Sequence, residues 1–323
     1  MIRISLLLIV VFGLSCNYEK YYFEPNPLNS SEKIQSLFNG LSTKAESKFF
    51  LRNLHDTITF NSGLRLVTDS KDLCDQSGRL LNDVDNPMYC SELEVKTTEI
   101  SNKGDLILNH LFTETNQGEI LAFEKILKLN IICDYTPLYV SANQYVNIKF
   151  PSQNKNKSLF TYYGTTNKIN NNIEISRGID SINNADIPTF TSWNIGNNNI
   201  IDGFECNSRR LGWILLAESY KSTNDKSIQK ITISGSRDGT NSRVFLIFKN
   251  ENIVLECKYD DINSYFYHND IPNNTDIQIL CIASVNNSWE MGKKLVNFNN
   301  STTTNIELKP TSVQDINDVI NGL

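Results

Sequence analysis

The sequence lacks the residue patterns that mark several large classes of function. Its 30 lysines and arginines are spread along the chain without a basic block, and the formal net charge is −6. Binding to a phosphate backbone requires a concentrated positive surface, so we expect no nucleic acid partner. No Gly-x-Ser-x-Gly motif occurs, and the usual signature of an α/β-hydrolase is therefore missing. No catalytic residue is assigned from the sequence.

Histidine is scarce, and the cysteines are widely spaced. The three histidines, His55, His110 and His268, lie far apart, and the smallest gap between two cysteines is the one from Cys74 to Cys90. A zinc site formed within one segment needs paired ligands about two to four residues apart. The sequence therefore predicts no metal site and no bound cofactor.

The longest apolar run of the chain lies at its N-terminus. Arg3 is followed by the mainly apolar residues 4–14, and then by Ser15 and Cys16. This run is well short of the ~20 residues that a helix needs to cross a bilayer. A positive charge followed by a short apolar core and small residues is typical of a secretory signal peptide.

The segment Leu14-Ser15-Cys16 resembles the end of a bacterial lipoprotein signal sequence, in which a small residue precedes the cysteine that receives the lipid. The resemblance implies that residues 1–15 are removed, that Cys16 carries the lipid and that residues 16–30 tether the chain to a bacterial membrane, outside the cytoplasm. Two or more acyl chains anchor a protein stably, because each buried methylene adds ~0.8 kcal/mol. Gly13-Leu14-Ser15 also fits ordinary signal cleavage, which would make the protein secreted.

The remaining cysteines suggest a disulfide framework. If Cys16 is lipidated, six are left: Cys74, Cys90, Cys133, Cys206, Cys257 and Cys281. An even set can pair completely in an oxidising compartment, although six cysteines allow 15 connectivities. We predict the sequential arrangement, namely Cys74 with Cys90, Cys133 with Cys206 and Cys257 with Cys281. Buried free thiols are the alternative.

Hydrophobic periodicity predicts a mainly β protein with a short helix near each end. Apolar residues recur at three- and four-residue spacing from Ser31 onwards and again within residues 311–323, where Ser312 is a candidate cap. Between these segments lie many short runs of branched and aromatic residues separated by turn formers, which are typical of antiparallel strands. The run 106–112 is predicted as a strand, and residues 119–129 fit either a strand or a helix.

The strands are predicted to form two antiparallel β-sandwich-like domains. Polar stretches at residues 151–157 and 164–172 mark the boundary, which gives an N-terminal domain of residues 31–165 and a C-terminal domain of residues 166–323. A single larger antiparallel fold with the first helix packed on it is the alternative.

Aromatic residues in the second half are the candidate ligand contacts. Exposed aromatic rings on a β scaffold can stack on sugars or anchor a protein partner, whereas core packing is the alternative. The candidates are Trp193, Trp213, Tyr265, Tyr267 and Trp289. The sequence thus predicts a membrane-anchored lipoprotein that binds a protein or a glycan without catalysis. The alternative is a polysaccharide hydrolase, whose paired carboxylates cannot be placed from the sequence.

Overall fold

The computed structural model describes residues 30–52, 56–83, 90–166, 173–177, 187–196, 199–235, 237–299 and 303–323. The predicted signal peptide, Cys16 and nearly all of the predicted tether lie outside these residues. Within them the chain is mainly β, its sheets are almost entirely antiparallel, and short helices lie near both ends, as predicted. No helix in the described part of the chain is both long and apolar enough to cross a membrane.

Three α-helices occur among the described residues. Helix α1 is Ser30–Leu41, α2 is Lys103–Leu108 and α3 is Val313–Asn321. The predicted cap of the last helix is confirmed, because the Ser312 side chain accepts a hydrogen bond from the Asp315 backbone, and the Asp315 carboxylate accepts one from the Ser312 backbone.

The first part of the chain forms fourteen strands within the described residues. They are β1 (Glu46–Leu51), β2 (Asp56–Thr59), β3 (Arg65–Thr68), β4 (Leu73–Cys74), β5 (Glu92–Ile100), β6 (Leu121–Cys133), β7 (Thr136–Pro137), β8 (Tyr139–Val140), β9 (Val146–Pro151), β10 (Phe160–Thr166), β11 (Ile173–Arg177), β12 (Thr189–Asn194), β13 (Ile200–Ser208) and β14 (Gly212–Ser219).

The later strands follow after a short polar connection. They are β15 (Lys226–Ile233), β16 (Ser242–Phe248), β17 (Val254–Glu256), β18 (Lys258–Asp260), β19 (Tyr265–Pro272), β20 (Thr275–Val285), β21 (Ser288–Phe298), β22 (Thr303–Ile306) and β23 (Lys309–Thr311).

The predicted strand over residues 106–112 is wrong, because residues 106–108 form the end of helix α2. The Asn102 side chain accepts a hydrogen bond from the Asp105 backbone, and this cap starts a helical turn just before the apolar run. The ambiguous segment 119–129 is resolved in the other direction, since most of it belongs to strand β6.

The strands form four main sheets. Sheet A has the order β1-β5-β6-β14-β10-β11, with β7 beside β6, and sheet B has the order β12-β13-β9-β3-β2. Sheet C has the order β18-β19-β15-β22, and sheet D has the order β17-β16-β20-β21-β23. Strands β4 and β8 form a small separate pair, and β15 and β22 run parallel.

The sheets stack in the order B, A, D, C. One apolar core joins the facing sides of sheets A and B, a second joins the other side of A to sheet D and to the three helices, and a third joins sheets D and C. Sheets A and D are therefore covered on both sides. Their central strands accordingly carry unbroken apolar runs, Trp213 to Ala217 in β14 and Val244 to Phe248 in β16, every residue of which is buried.

The three helices pack against the apolar core between sheets A and D. Ile34 and Phe38 of α1 and Ile316 and Ile320 of α3 are buried in the same core as strands from both sheets. Helices α2 and α3 approach so closely at Gly104 that an added Cβ atom would lie 2.0 Å from the Ile320 carbonyl oxygen. This contact requires glycine and brings the C-terminal helix against the first half of the chain.

Strand pairing does not follow the division predicted at residue 165. That position lies inside β10, and β14 pairs with both β6 and β10, so sheet A draws strands from both sides of the predicted boundary. Sheets A and B instead contain strands from residues 46–219, and sheets C and D contain strands from residues 226–311.

The disulfide pairing also differs from the predicted one. Cys90 bonds to Cys133, so neither the Cys74–Cys90 pair nor the Cys133–Cys206 pair forms. The reason is strand topology: Cys90 precedes β5 and Cys133 ends the neighbouring antiparallel strand β6, which brings their Cα atoms to 5.7 Å. Cys206 is buried on β13, and Cys74 is a buried free thiol.

The predicted Cys257–Cys281 pair is excluded by the order of strands in sheet D. Cys281 of β20 lies opposite Val244 of β16, while the Cys257 backbone bonds to the same valine from the other side. Two strand spacings, ~9.6 Å, therefore separate the two cysteines, beyond the ~7 Å limit for a disulfide. Both are buried free thiols, and burial raises the pKa of each.

Replacing both disulfide cysteines, as Cys90→Ser with Cys133→Ser, is expected to lower the free energy of unfolding by about 2–4 kcal/mol, because the bond closes a loop with a sequence separation of 43. Urea denaturation measures this. Reducing agent should bring the wild type down to the stability of the variant and leave the variant unchanged. Equal stability of the oxidised and reduced wild type would contradict the expected contribution.

Candidate functional site

A polar cleft lies where the ends of strands from sheets A and B meet the loop that follows β9. Its volume is about 760 Å³, and its walls are residues 124–125, 151–155, 190 and 200–202. Strand β6 supplies the first pair, the end of β9 and the loop after it supply the second group, and the β12–β13 hairpin supplies the remainder. The cleft is therefore built by three segments distant in sequence.

The loop wall is held by the carboxylate of Glu124. Ser152 Oγ donates a hydrogen bond to it at 2.6 Å, Asn154 Nδ2 donates at 3.1 Å and Lys157 Nζ forms an ion pair at 3.0 Å. The Ser152 backbone also donates to the carbonyl of Asp202 at 3.0 Å. One carboxylate thus fixes the whole loop, and the loop is in turn attached to the opposite wall.

These bonds keep Glu124 ionised. Burial by itself raises the pKa of this carboxyl group, but the hydrogen bonds from Ser152, Lys157 and Asn154 and the charge of Lys157 outweigh burial, so the pKa lies below the usual value of 4.5. At neutral pH the group is a carboxylate whose oxygen atoms are already engaged by the protein. It serves to position the loop.

The opposite wall offers polar atoms and exposed apolar surface. Asp202 is exposed and accepts a hydrogen bond from Ser192 Oγ at 2.6 Å. Phe190 is 36% exposed, and its ring is fixed by an edge contact with Phe204 at 5.2 Å between centroids. Ile200 is 67% exposed. Carboxylate, amide and ammonium groups of the cleft therefore lie beside an aromatic ring held in place from behind.

Glu124 does not have the properties of the proton donor of a glycosidase. Such enzymes need one carboxyl group with a raised pKa that can donate a proton to the leaving group. The pKa of Glu124 is lowered, and its oxygen atoms face Ser152 and Lys157. The arrangement is suited to holding a polar molecule by hydrogen bonds and by contact with an aromatic face.

Two of the five predicted ligand-binding aromatic residues are core residues. Trp193 is 5% exposed and Trp213 is 4% exposed, so neither ring has a face open to a ligand. Trp193 covers Gly203 of the neighbouring strand, and Trp213 lies in the core between sheets A and D. Core packing therefore accounts for both tryptophans, and neither is a ligand contact.

The other three aromatic residues are half-buried and lie away from the cleft. Tyr265 and Tyr267 project from the outer side of sheet C, with ring centroids 6.1 Å apart, and Lys230 Nζ lies 4.8 Å from the Tyr265 ring centroid. Trp289 lines a separate groove beside α1 and α3, together with Leu37. The structure does not bring the five predicted residues together.

The described histidines also lie apart from the cleft. His268 Nε2 lies 3.3 Å from Glu114 Oε2, and this contact joins the two halves of the chain. His110 is buried beside Phe38, and its Nε2 has no hydrogen-bond partner among the described residues. No three potential metal ligands cluster within the part of the chain that the structure describes.

The residues that form the cleft were not selected from the sequence. Glu124 is one acid among 36, and Asp202 lies in strand β13, which the sequence pattern did not reveal. The polar stretch at 151–157 predicts a loop or a domain boundary, but it does not by itself predict a binding site. Its dense polarity next to a strand end was the available signal.

No protein-family model and no curated protein matches this chain.

The substitution Glu124→Gln is expected to lower the free energy of unfolding by about 1–3 kcal/mol at pH 7, because it removes the ion pair with Lys157 and weakens the bonds that hold the loop. The pKa of Glu124 is lower in the folded state, so its contribution is fully present above pH 4.5 and is lost as the pH falls through the folded value. Urea denaturation across this range measures the difference.

The matched control is Glu205→Gln, which removes an ion pair with Lys149 at 3.4 Å on the more open side of sheet B. This change should cost less than about 1 kcal/mol. Equal losses for the two variants, or a Glu124→Gln effect that grows on acidification, would contradict the role given to Glu124.

Proposed function

We propose that the protein is an extracytoplasmic lipoprotein, anchored through a lipid on Cys16, that binds a glycan in the polar cleft without catalysis. The observation that carries the binding proposal is the cleft itself, in which Asp202 and the side-chain amides of Gln153 and Asn154 line the same cavity as the fixed ring of Phe190. The anchor rests on residues 1–16 of the sequence.

A glycan fits the chemistry of the cleft better than an apolar ligand does. Carboxylate, amide and ammonium groups make hydrogen bonds with sugar hydroxyls, and an aromatic ring packs against the apolar face of a pyranose. The volume of about 760 Å³ is in the range of small-molecule sites, ~300–1,000 Å³. The cleft therefore has room for a short oligosaccharide.

Binding without turnover follows from the state of Glu124. Its carboxylate is held by Ser152 and Lys157, and its lowered pKa leaves no proton to donate at neutral pH. Asp202 alone cannot supply both the acid and the base that hydrolysis of a glycosidic bond requires. These facts support a binding role over a hydrolase.

The extracytoplasmic location has two supports. The N-terminal layout is typical of an exported chain. The Cys90–Cys133 disulfide is of the kind that persists in oxidising compartments. Because Cys74, Cys257 and Cys281 are free thiols, the even number of body cysteines adds nothing to the argument for lipidation.

Glycan binding can be tested with the full chain on an array of neutral and acidic oligosaccharides, followed by calorimetric titration of the glycans retained. We expect Asp202→Asn and Phe190→Ala each to weaken binding about tenfold, since each removes one hydrogen-bonding or stacking contact worth ~1–1.5 kcal/mol.

The control is Asp134→Asn, which changes an exposed acid in the turn after β6, outside the cleft. It should leave affinity unchanged. Retention of no glycan, or equal affinity of the Asp202→Asn and Asp134→Asn variants, would refute the site. Detectable turnover of the retained glycan would refute the non-catalytic role.

The anchor is tested by mass spectrometry of the mature N-terminus from a bacterial host. We expect the chain to begin at a Cys16 that carries acyl chains and to fractionate with membranes. The variant Cys16→Ser should be unacylated and lose membrane association. A mature wild-type chain with an unmodified Cys16 would show that the protein is secreted or retained without this lipid.

A further inference from the structure

Strand β1 is an open edge of sheet A that carries exposed apolar side chains. It pairs with β5 on one side, and no strand pairs with its other side among the described residues. Phe49 is 63% exposed and Leu51 is 51% exposed, although the intervening Phe50 is buried. The opposite edge, β11, differs because it bridges to Thr115. Open, apolar edges of this kind are sites of strand addition.

The hydrogen-bonding direction of β1 follows from its register with β5. The Arg52 backbone N–H donates to the carbonyl of Ser91, the residue directly opposite, at 3.0 Å. In an antiparallel pair these bonded positions alternate. Residues 46, 48, 50 and 52 therefore bond to β5, and the backbone groups of Ser47, Phe49 and Leu51 point to the open side.

We propose that β1 pairs with β1 of a second copy of this chain, antiparallel and about a twofold axis at Phe49. In this register Phe49 lies opposite its own equivalent, and Ser47 lies opposite Leu51 of the second copy. The outward backbone groups of these three residues then bond to one another. The two copies of sheet A become one continuous sheet.

Charge complementarity selects this register. With the axis at Phe49, Glu46 lies opposite Arg52 of the second copy, and by symmetry the pair occurs twice. Moving the axis to Lys48 would place two lysines directly opposite each other. Moving it to Phe50 would place Lys48 opposite Arg52. All three registers align the outward backbone groups. Like charges directly opposite destabilise a strand pair, so charge favours the Phe49 register over the other two.

The hydrogen bonds described for Arg52 and Glu46 are compatible with an ion pair between the two copies. Arg52 already donates to the Leu81 carbonyl, and a guanidinium has five N–H donors, so it can also bind a carboxylate. Glu46 contacts Lys48 at 3.7 Å and accepts a bond from the Asn61 backbone at 3.4 Å, which leaves further acceptor capacity. The interface is isologous, as a closed dimer requires.

Cross-linking tests the register directly. With Phe49→Cys the two new cysteines have Cα atoms ~5.5 Å apart across the axis, so a short bifunctional thiol reagent should link the full-length chains into a covalent dimer. The matched control is Leu51→Cys, which is similarly exposed but ~14 Å from its own equivalent in this register, and should link far less. The wild type, with its native cysteines, gives the background.

Sedimentation of the full chain tests the association itself. We expect a concentration-dependent dimer that Glu46→Lys weakens at least tenfold, because the introduced ammonium group would face Arg52 of the second copy. The control Glu174→Lys, on the opposite edge of sheet A, should leave the dimer unchanged. A monomer at all concentrations, or equal cross-linking of the Phe49→Cys and Leu51→Cys variants, would overturn the proposal. These outcomes do not depend on glycan binding.

Discussion

The fold depends on one apolar core that joins the two halves of the chain. Phe245 of sheet D lies 6.1 Å from the ring of Phe38 in α1 and 5.8 Å from that of Phe112, which follows α2. Backbone bonds cross the same junction, among them Thr113 N–H to the Val254 carbonyl at 2.9 Å. Sheets A and D are each buried on both sides. Separating the A–B pair from the C–D pair would therefore expose the facing sides of A and D to water and remove one of the three apolar cores.

Polar groups at this junction are constrained by the same burial. His110 packs against Phe38, and burial, with a smaller effect of the nearby Arg243, lowers its pKa from 6.5 to about 4. The ring is therefore neutral at physiological pH and packs as a largely apolar group. Burial alone would raise the pKa of Glu114, but the contact with His268 and the charge of Lys258 outweigh burial, so the pKa of this carboxyl lies below its usual value.

The polar cleft and the β1 edge lie on different parts of this stack. The cleft forms where sheets A and B end, and its shape depends on Glu124, which reaches from β6 to the loop after β9. The edge exists because the order of sheet A ends at β1. A rigid, doubly covered sheet thus presents both features, which is why ligand binding and self-association can be measured independently.

The sequence by itself determined the β class and the two end helices, because these follow from local periodicity and capping residues. The tertiary structure decided the Cys90–Cys133 bond, the strand order of sheet A and the cleft around Glu124. Each depends on which distant strands become neighbours, and that choice is made by complementary packing of whole sheets. Helix α2 shows where the local pattern misleads. The apolar run at residues 106–112 is typical of a strand, but the cap at Asn102 starts a helix instead.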